Sequence, residues 1–231
     1  MATILHIETS TDVCSVALTS EGQVLDHYEN YDGQTHATLL SVMLRDALKY
    51  ARTREIKIDA IAVSIGPGSY TGLRIGLSQA KGLAFGLNVP LIGVNTLQLL
   101  ATSVMFSQWI DEDNVVIAPM IDARRMEVYM AAYDMALNAL MPPQPMIIDA
   151  HSLDALLEDH IVMIAGNGSD KVKGVIEHPN LRHVPGIKPV AVDMMALAER
   201  AFARQEFIDV AYSTPLYLKE FQVTRSKKKV L

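Results

Sequence analysis

The chain has 231 residues, of which 50% are hydrophobic and 20% are charged; this balance excludes a disordered protein and allows one or two domains with a sizeable core. Its net charge of −6 makes it a poor candidate for a protein that grips nucleic acid alone, since such proteins usually present a basic surface. One cysteine, Cys14, cannot form an internal disulfide, and the first residues lack the basic and long apolar stretches of a signal peptide. We therefore expect a cytoplasmic protein without a membrane span.

Hydrophobic periodicity in residues 1–110 predicts the element order β-β-β-α-β-α-β-α. Short β-branched runs bounded by polar or glycine-containing turns indicate the strands, and apolar residues at helical spacing indicate the helices. The predicted strands are Ile4–Ile7, Cys14–Leu18, Val24–Tyr31, Ile61–Ile65 and Leu91–Val94, and the predicted helices are Gln34–Ala51, Thr71–Phe85 and one from Asn95 or Thr96 to about Trp109.

An acidic break at residues 111–114 suggests a boundary, after which a similar order of elements begins again. We predict an N-terminal lobe of residues 1–110, a smaller C-terminal lobe of 111–210, and a C-terminal segment with a basic tail at 211–231. The predicted strands are Val115–Ile121, Met126–Tyr133 and Ile161–Ala165, a loop or edge covers the proline-rich Leu140–Pro145, and helices cover Ser152–Asp159, Asp170–Glu177 and Val192–Arg204.

The most unusual stretch is Gly66 to Gly86, which reads GPGSYTGLRIGLSQAKGLAFG. A glycine–proline turn joins a buried strand to a helix in which small residues recur every four positions: Gly72, Gly76, Ala80 and Ala84. Glycine inside a helix costs roughly 0.5–1 kcal/mol of stability relative to alanine. We therefore expect these glycines to have a role in packing or binding that offsets the cost. Close packing on the helix's own sheet, close packing on a partner chain, and phosphate binding at the helix N-terminus all remain open, although the spacing matches neither G-x-G-x-x-G nor a Walker loop.

Four segments together resemble the bacterial TsaB (YeaZ) family of tRNA threonylcarbamoyladenosine biosynthesis proteins. They are ILHIETSTDVCSVAL near the start, the glycine-rich stretch, IDARRMEVY at 121–129 and PLYLK at 215–219. The resemblance covers nearly the whole chain. It implies an α/β protein of two actin-like, ribonuclease-H-like lobes in the actin, sugar-kinase and Hsp70 superfamily, each lobe a mixed sheet with flanking helices.

The resemblance also implies a function that the motifs alone would not give. Members of this family are non-catalytic relatives of TsaD, the subunit that transfers the threonylcarbamoyl group to adenosine 37 of tRNA; they bind and activate TsaD, and the pair engages the ATPase TsaE. Contact with tRNA would be indirect, and the face that binds TsaD can also form a homodimer. The residues expected at this contact are His36, Leu39, Leu40, Met43, Ala47, Gly72, Leu73, Gly76, Leu77, Ala80, Lys81 and Ala84.

Two enzymatic alternatives stay open. An ATP-dependent small-molecule kinase of the same fold would need a nucleotide site, for which Glu8, Thr9, Ser10 and Asp122 are vestigial candidates and Gly166-Asn167-Gly168 offers a glycine pair. We expect no resident cofactor, although a nucleotide at the joint with a partner stays open.

The second alternative, a metallopeptidase, is weaker because the chain lacks a recognisable set of metal ligands. The catalytic relatives carry His-x-x-x-His on the first helix, whereas this chain has His36 followed by Leu40 four residues later. A metal site needs three or four protein ligands, so we expect none.

Two groups of basic residues have alternative interpretations. Arg124 and Arg125 fall in a predicted hairpin turn, where they are either solvated charges or contacts to an acidic partner or RNA. Arg225, Lys227, Lys228 and Lys229 form a basic run that could add a salt-sensitive phosphate contact.

Overall fold

The computed structural model describes residues 2–33 and 36–219. Its strands and helices follow the predicted order in the first lobe. The strands are β1 (Thr3–Glu8), β2 (Cys14–Ser20), β3 (Gln23–Asn30), β4 (Ala60–Gly66), β5 (Leu91–Asn95), β6 (Val115–Asp122), β7 (Glu127–Tyr133), β8 (Ala139–Ile147), β9 (Ile161–Ala165) and β10 (Leu181–Val184). The helices are α1 (His36–Thr53), α2 (Tyr70–Leu87), α3 (Thr96–Ser107), α4 (Asp154–Leu157) and α5 (Met195–Ala203).

The strands form two five-stranded sheets with the same topology. The first has the order β3-β2-β1-β4-β5 and the second the order β10-β9-β6-β7-β8. In each sheet the first three strands are antiparallel neighbours, and the last two extend the sheet in parallel from its first strand. This repetition, with helices on the sheets, confirms the predicted class of two actin-like, ribonuclease-H-like lobes.

Helices cover both faces of the first sheet. Alternate residues of a strand point to opposite faces, and β1 shows the consequence: Leu5 and Ile7 pack with α1 and α2, whereas Ile4 packs with α5. In α3, Leu99 packs towards the first sheet and Leu100 packs with the core of the second. The first sheet is therefore completed by residues far beyond the predicted boundary at 110.

The proline-rich run, expected as a loop or edge, forms edge strand β8, which fits the tolerance of edge strands for proline. Three other segments differ from the sequence prediction. The helix expected at 170–177 shortens to a 3₁₀ turn, Ser169–Val172, and the last helix begins with the 3₁₀ turn Ala191–Met194. Strand β10 was not predicted, because its four residues alternate in burial too briefly to give a signal.

Among the described residues, no helix is both long and apolar enough to cross a membrane. The expected basic run at 225–229 and the predicted start of the first helix at Gln34 lie outside the described residues.

Candidate functional site

The loop after β1 packs against the first turn of α2 and is hydrogen-bonded to it. The Thr9 hydroxyl donates a 2.8 Å hydrogen bond to the Gly72 carbonyl oxygen, and the Ser69 amide donates to the Ser10 carbonyl oxygen at 2.7 Å. Ser69 also caps the helix, since its hydroxyl accepts from the Gly72 amide. A Cβ on Gly72 would overlap the Thr9 carbonyl oxygen, and one on Gly76 would overlap the Thr9 hydroxyl oxygen. Glycine is therefore required here by close packing within the first lobe.

This packing contradicts the expectation that the inner row of α2 lies on a partner surface. The row faces the chain's own sheet, and its members leave no surface for a second protein. The buried residues of α2 are Gly72, Leu73, Gly76, Leu77, Ala80 and Ala84.

The expected contact residues of α1 also fall into two groups, one buried and one half-buried. Leu40 and Ala47 have no exposed surface and belong to the core, as does most of His36, whose Nε2 donates to the Val13 carbonyl oxygen at 3.1 Å. Leu39 and Met43 are half-buried and remain available at the edge of the helix. The structure thus contradicts partner roles for the buried three and leaves the other two untested.

Lys81 has a different role from the one expected. Its ammonium group donates to the carbonyl oxygens of Ala211 and Ser213, at 3.0 and 2.6 Å. It therefore holds the residues that follow α5 along the side of α2. In the structure we use the name C-terminal segment for these residues, 204–219. The segment also pairs with β5 through Ile208 and Leu91.

A second row of small residues, on the outside of α2, is exposed. Ser78, Gly82 and Gly86 recur every four positions, and a Cβ on either glycine would meet no atom within 4 Å. Ser78 and Gly82 line a groove between α1 and α2 together with Ala37, Arg74, Ile75, Gln79 and Leu83. We call this groove and the exposed residues beside it the outer helical face.

Between the lobes lies an open cleft of about 2560 Å³, larger than the roughly 300–1,000 Å³ of common ligand pockets. The candidate Glu8 is wholly buried and does not line it. Its Oε1 accepts hydrogen bonds of 2.5 Å from both the amide and the hydroxyl of Ser10. Burial raises the pKa of Glu8 to about 7, although hydrogen bonds from Ser10 and Ser64 act in the opposite direction. Glu8 thus holds Ser10 in place, and Thr9 and Ser10 make the hydrogen bonds to the start of α2.

Asp122 does line the cleft, but its charge is already paired. The Lys171 ammonium group lies 2.5 Å from its Oδ1, which also accepts from the Arg124 amide. Partial burial acts to raise the pKa of Asp122, but these hydrogen bonds and the lysine charge together lower it below its ordinary value. An aspartate whose pKa is lowered in this way is a poor general base.

The glycine pair of the second lobe is also explained by local packing. A Cβ on Gly166 would overlap the Met120 carbonyl oxygen, and one on Gly168 would lie 2.9 Å from the Ile121 carbonyl carbon. The Asn167 side chain accepts from the Asp122 amide at 2.9 Å. The loop therefore holds the end of β6, and local packing accounts for both of its glycines.

Arg124 and Arg125 line the cleft from the turn after β6. Both have positive φ, 73° and 51°, a region that non-glycine residues enter only with strain. The turn is therefore a hairpin as predicted, and it places two cationic side chains at the cleft.

An aromatic and arginine cluster at the start of α2 had no sequence signal, because Tyr217 lies 143 residues beyond Arg74. The Arg74 Nε donates to the Tyr217 hydroxyl at 2.9 Å, and its guanidinium carbon lies 3.9 Å from the Tyr70 ring centroid. The Tyr70 and Tyr217 ring centroids are 5.2 Å apart. The cluster fixes Arg74 and joins the C-terminal segment to the outer helical face.

Other catalytic arrangements find little support in the described part of the chain. No group of three or more His, Cys, Asp or Glu side chains there could hold a metal. Ser169 and His183 lie 2.9 Å apart, but the Ser169 hydroxyl is buried and also donates to the Gly166 carbonyl oxygen. That serine supports its loop and is not accessible as a nucleophile.

Comparison with known proteins identifies the group of proteins to which these lobes are related. The family model for the tRNA N6-adenosine threonylcarbamoyltransferase TsaD matches residues 29–214. The tRNA threonylcarbamoyladenosine biosynthesis protein TsaB of Escherichia coli is 32% identical over 224 residues, which are 94% of each chain. A solved structure of YeaZ from Pseudomonas aeruginosa superposes with a TM-score of 0.78 at 31% identity, covering 94% of this chain and all of that one.

A tRNA N6-adenosine threonylcarbamoyltransferase, that of Symbiobacterium thermophilum, is 40% identical over 111 residues. The match covers 41% of this chain and 33% of the transferase. The pairwise match to this one transferase is therefore limited to part of each chain, whereas similarity to the two proteins above extends along almost the whole chain.

Proposed function

The chain belongs to the TsaB/YeaZ family, and on that premise we propose that it works in the biosynthesis of threonylcarbamoyladenosine in tRNA, as a subunit without catalysis of its own. In this role it binds the threonylcarbamoyl-transferring subunit and holds it in an active geometry. The working compartment is the cytoplasm, where this modification system and tRNA would meet.

The observation that carries the proposal is the engagement of both candidate carboxylates. Glu8 is buried and bonded to Ser10, and Asp122 is paired with Lys171. A kinase on this fold needs acidic groups that reach a metal–nucleotide complex in the cleft. Glu8 does not reach the cleft, and Asp122 reaches it with one oxygen already bonded to Lys171, so a supporting role fits the chain better than phosphoryl transfer.

The outer helical face supports the second half of the proposal. Its small residues let another backbone approach closely, and Ile75 and Leu83, in the neighbouring row of α2, supply apolar surface beside them. A helix pair of this kind fits a partner that contributes helices of its own. We place the partner contact here, in contrast to the buried inner row of α2.

The wider assembly follows from the family resemblance. The pair formed with the transferase would engage a small ATPase, and tRNA would be held chiefly by the transferase. In the absence of that partner, the same outer helical face could pair with a second copy of the chain.

The test is co-purification with the transferase of the same organism, followed by a tRNA modification assay with and without this chain. Gly82→Leu places bulk on the outer row without a clash in the folded chain, since nothing lies within 4 Å of its Cβ. We expect it to reduce both binding and modification at least about tenfold. Ala203→Leu, on the exposed end of α5, is the matched control and should change neither.

Two results would overturn the proposal. One is full modification activity of the transferase in the absence of this chain. The other is tight binding of Mg-ATP by the purified chain with turnover of a small-molecule acceptor, which would make it a kinase.

A further inference from the structure

The motif PLYLK at residues 215–219 has no part in the proposed function. Its last four residues line the cleft, together with residues of both lobes. We call residues 215–219 the strap, because they leave the first lobe beside α2 and reach β7 of the second lobe. The contacts at the two ends of the strap differ in kind.

The first-lobe end of the strap is held by backbone and ring contacts. The Leu216 amide donates to the Ile65 carbonyl oxygen at 2.7 Å, and a Cβ on Gly66 would lie 2.9 Å from the Leu216 carbonyl oxygen. The Tyr217 ring lies against the Tyr70 ring, with 5.2 Å between the two centroids. The strap therefore follows the end of β4 so closely that a side chain at residue 66 would displace it.

The second-lobe end of the strap is held by an ion pair. The Lys219 ammonium group pairs with the Glu127 carboxylate on β7, and the two side chains are 37% and 19% exposed. A partly exposed ion pair contributes little to stability and is weakened by salt. The strap is therefore fixed at one end and readily released at the other.

Helix α3 and the crossing between β10 and α5 also join the lobes. In α3, Leu99 packs with the first sheet and Leu100 with the core of the second. In the crossing, Ile187 packs against the core of the second sheet, and the next residue, Lys188, lies 2.8 Å from the Asp12 carboxylate of the first lobe. A few residues at element ends are enough to act as a hinge between lobes. A link across the cleft then limits how far the cleft opens.

We propose that the strap is a latch for the cleft. It limits the separation of the lobes while Lys219 is paired with Glu127, and breaking that pair lets the lobes move apart with the strap still on the first lobe. The proposal concerns motion within the chain, so its test is separate from that of the proposed function. A latch of this kind responds to salt and to any acidic group that takes Lys219 from Glu127.

The experiment measures the distance between the lobes of the full chain by double electron–electron resonance. Nitroxide labels are attached after Ala37→Cys and Ile147→Cys, which change exposed residues that line the cleft from the first and the second lobe. The native Cys14 is buried, and the unsubstituted chain shows whether it takes any label. Distances are recorded at about 50 and 500 mM NaCl, a range over which screening increases strongly.

Three variants in the labelled background break the ion pair: Lys219→Met, Glu127→Gln and the two together. The control is Lys173→Met, because its lysine pairs with Asp170 within the second lobe. Circular dichroism and thermal melting establish that each variant is folded.

We expect the native chain to give one main distance at low salt. Each single change should raise the ratio of a longer-distance population to the native one about fivefold, and high salt should act on the native chain in the same direction. The double variant should not exceed either single variant, because both changes break the same pair. The control should match the native chain.

Hydrogen exchange distinguishes release of the latch from unfolding of the whole strap. The Leu216 amide, which is bonded to Ile65, should keep its protection in Lys219→Met. An unchanged distance distribution in all three variants would overturn the proposal, since the other two connections would then fix the lobes by themselves. Effects that multiply in the double variant, or loss of Leu216 protection in Lys219→Met, would also overturn it.

Discussion

Thr9 and Gly72 are joined by a 2.8 Å hydrogen bond from hydroxyl to carbonyl oxygen, and the same threonine occupies the space where side chains at Gly72 and Gly76 would lie. The glycine-rich helix is thus adapted first to its own lobe. This relationship separates the stability of the lobe from binding of a partner, and the two can be tested apart.

The inner and outer glycines of α2 should respond oppositely to alanine. Gly76→Ala should destabilise the chain by about 1–3 kcal/mol, because its Cβ would overlap the Thr9 hydroxyl oxygen. Gly82→Ala should stabilise it by about 0.5–1 kcal/mol, since the site is open and alanine is the better helix former. Urea denaturation measures both. Equal effects of the same sign would contradict the assignment of the two rows.

Glu8 should make the stability of the chain fall as pH rises through neutrality. Its pKa of about 7 in the folded state lies above the ordinary 4.5, so the folded chain keeps a proton that the unfolded chain has released. The stabilisation is fully present below pH 4.5 and is lost as pH rises through about 7; its size is about 3 kcal/mol. In Glu8→Gln this fall should disappear, as measured by the free energy of unfolding at both ends of the range. Identical pH profiles for the two chains would refute the buried, protonated carboxyl.

Lys171→Met should release Asp122. The pKa of Asp122 should rise towards its ordinary value, because the lysine charge and hydrogen bond are lost. The stabilisation from this pair, present above the ordinary pKa and lost as pH falls, should vanish; it is at most about 1 kcal/mol for a carboxylate this exposed. Carboxyl NMR titration checks the pKa, and Lys173→Met, whose lysine pairs with Asp170, serves as the control. An unchanged Asp122 titration in Lys171→Met would contradict the pairing.

Lys81→Ala should loosen the C-terminal segment. It removes the hydrogen bonds to the Ala211 and Ser213 carbonyl oxygens and should cost about 1–3 kcal/mol. Hydrogen exchange should increase for amides of the segment, including that of Leu216, which donates to the Ile65 carbonyl oxygen. Lys49→Ala, on the exposed side of α1, should leave this exchange unchanged. If protection of Leu216 survives in Lys81→Ala, the lysine is not what fastens the segment.

The sequence predicted most of the fold because strong local patterns determine it. β-Branched runs gave strands such as β4 and β9, and the glycine–proline turn before Ser69 marked the start of α2 within one residue. The short β10 was missed, since its pairing with β9 depends on contacts between distant residues. The prolines of β8 left a loop and an edge open, and the structure has the edge strand.

The site was harder to predict than the fold. Spacing identified the row of Gly72, Gly76, Ala80 and Ala84, but it could not show that this row faces the chain's own sheet, and the outer row of Ser78, Gly82 and Gly86 was not predicted. That depends on Thr9, whose position is set by the loop after β1. Likewise, neither the pairing of Lys171 with Asp122 nor the placement of Arg74 by Tyr217 leaves a mark in local sequence.

Helix α5 covers the face of the first sheet on which Ile4, Ala60 and Ile92 lie, and this has a consequence for synthesis of the chain. A ribosome releases these apolar strands well before residues 195–203, so the part of this face that α5 covers stays exposed to solvent until almost the whole polypeptide has emerged. The second hydrophobic layer of the first sheet is therefore complete only when translation is nearly finished.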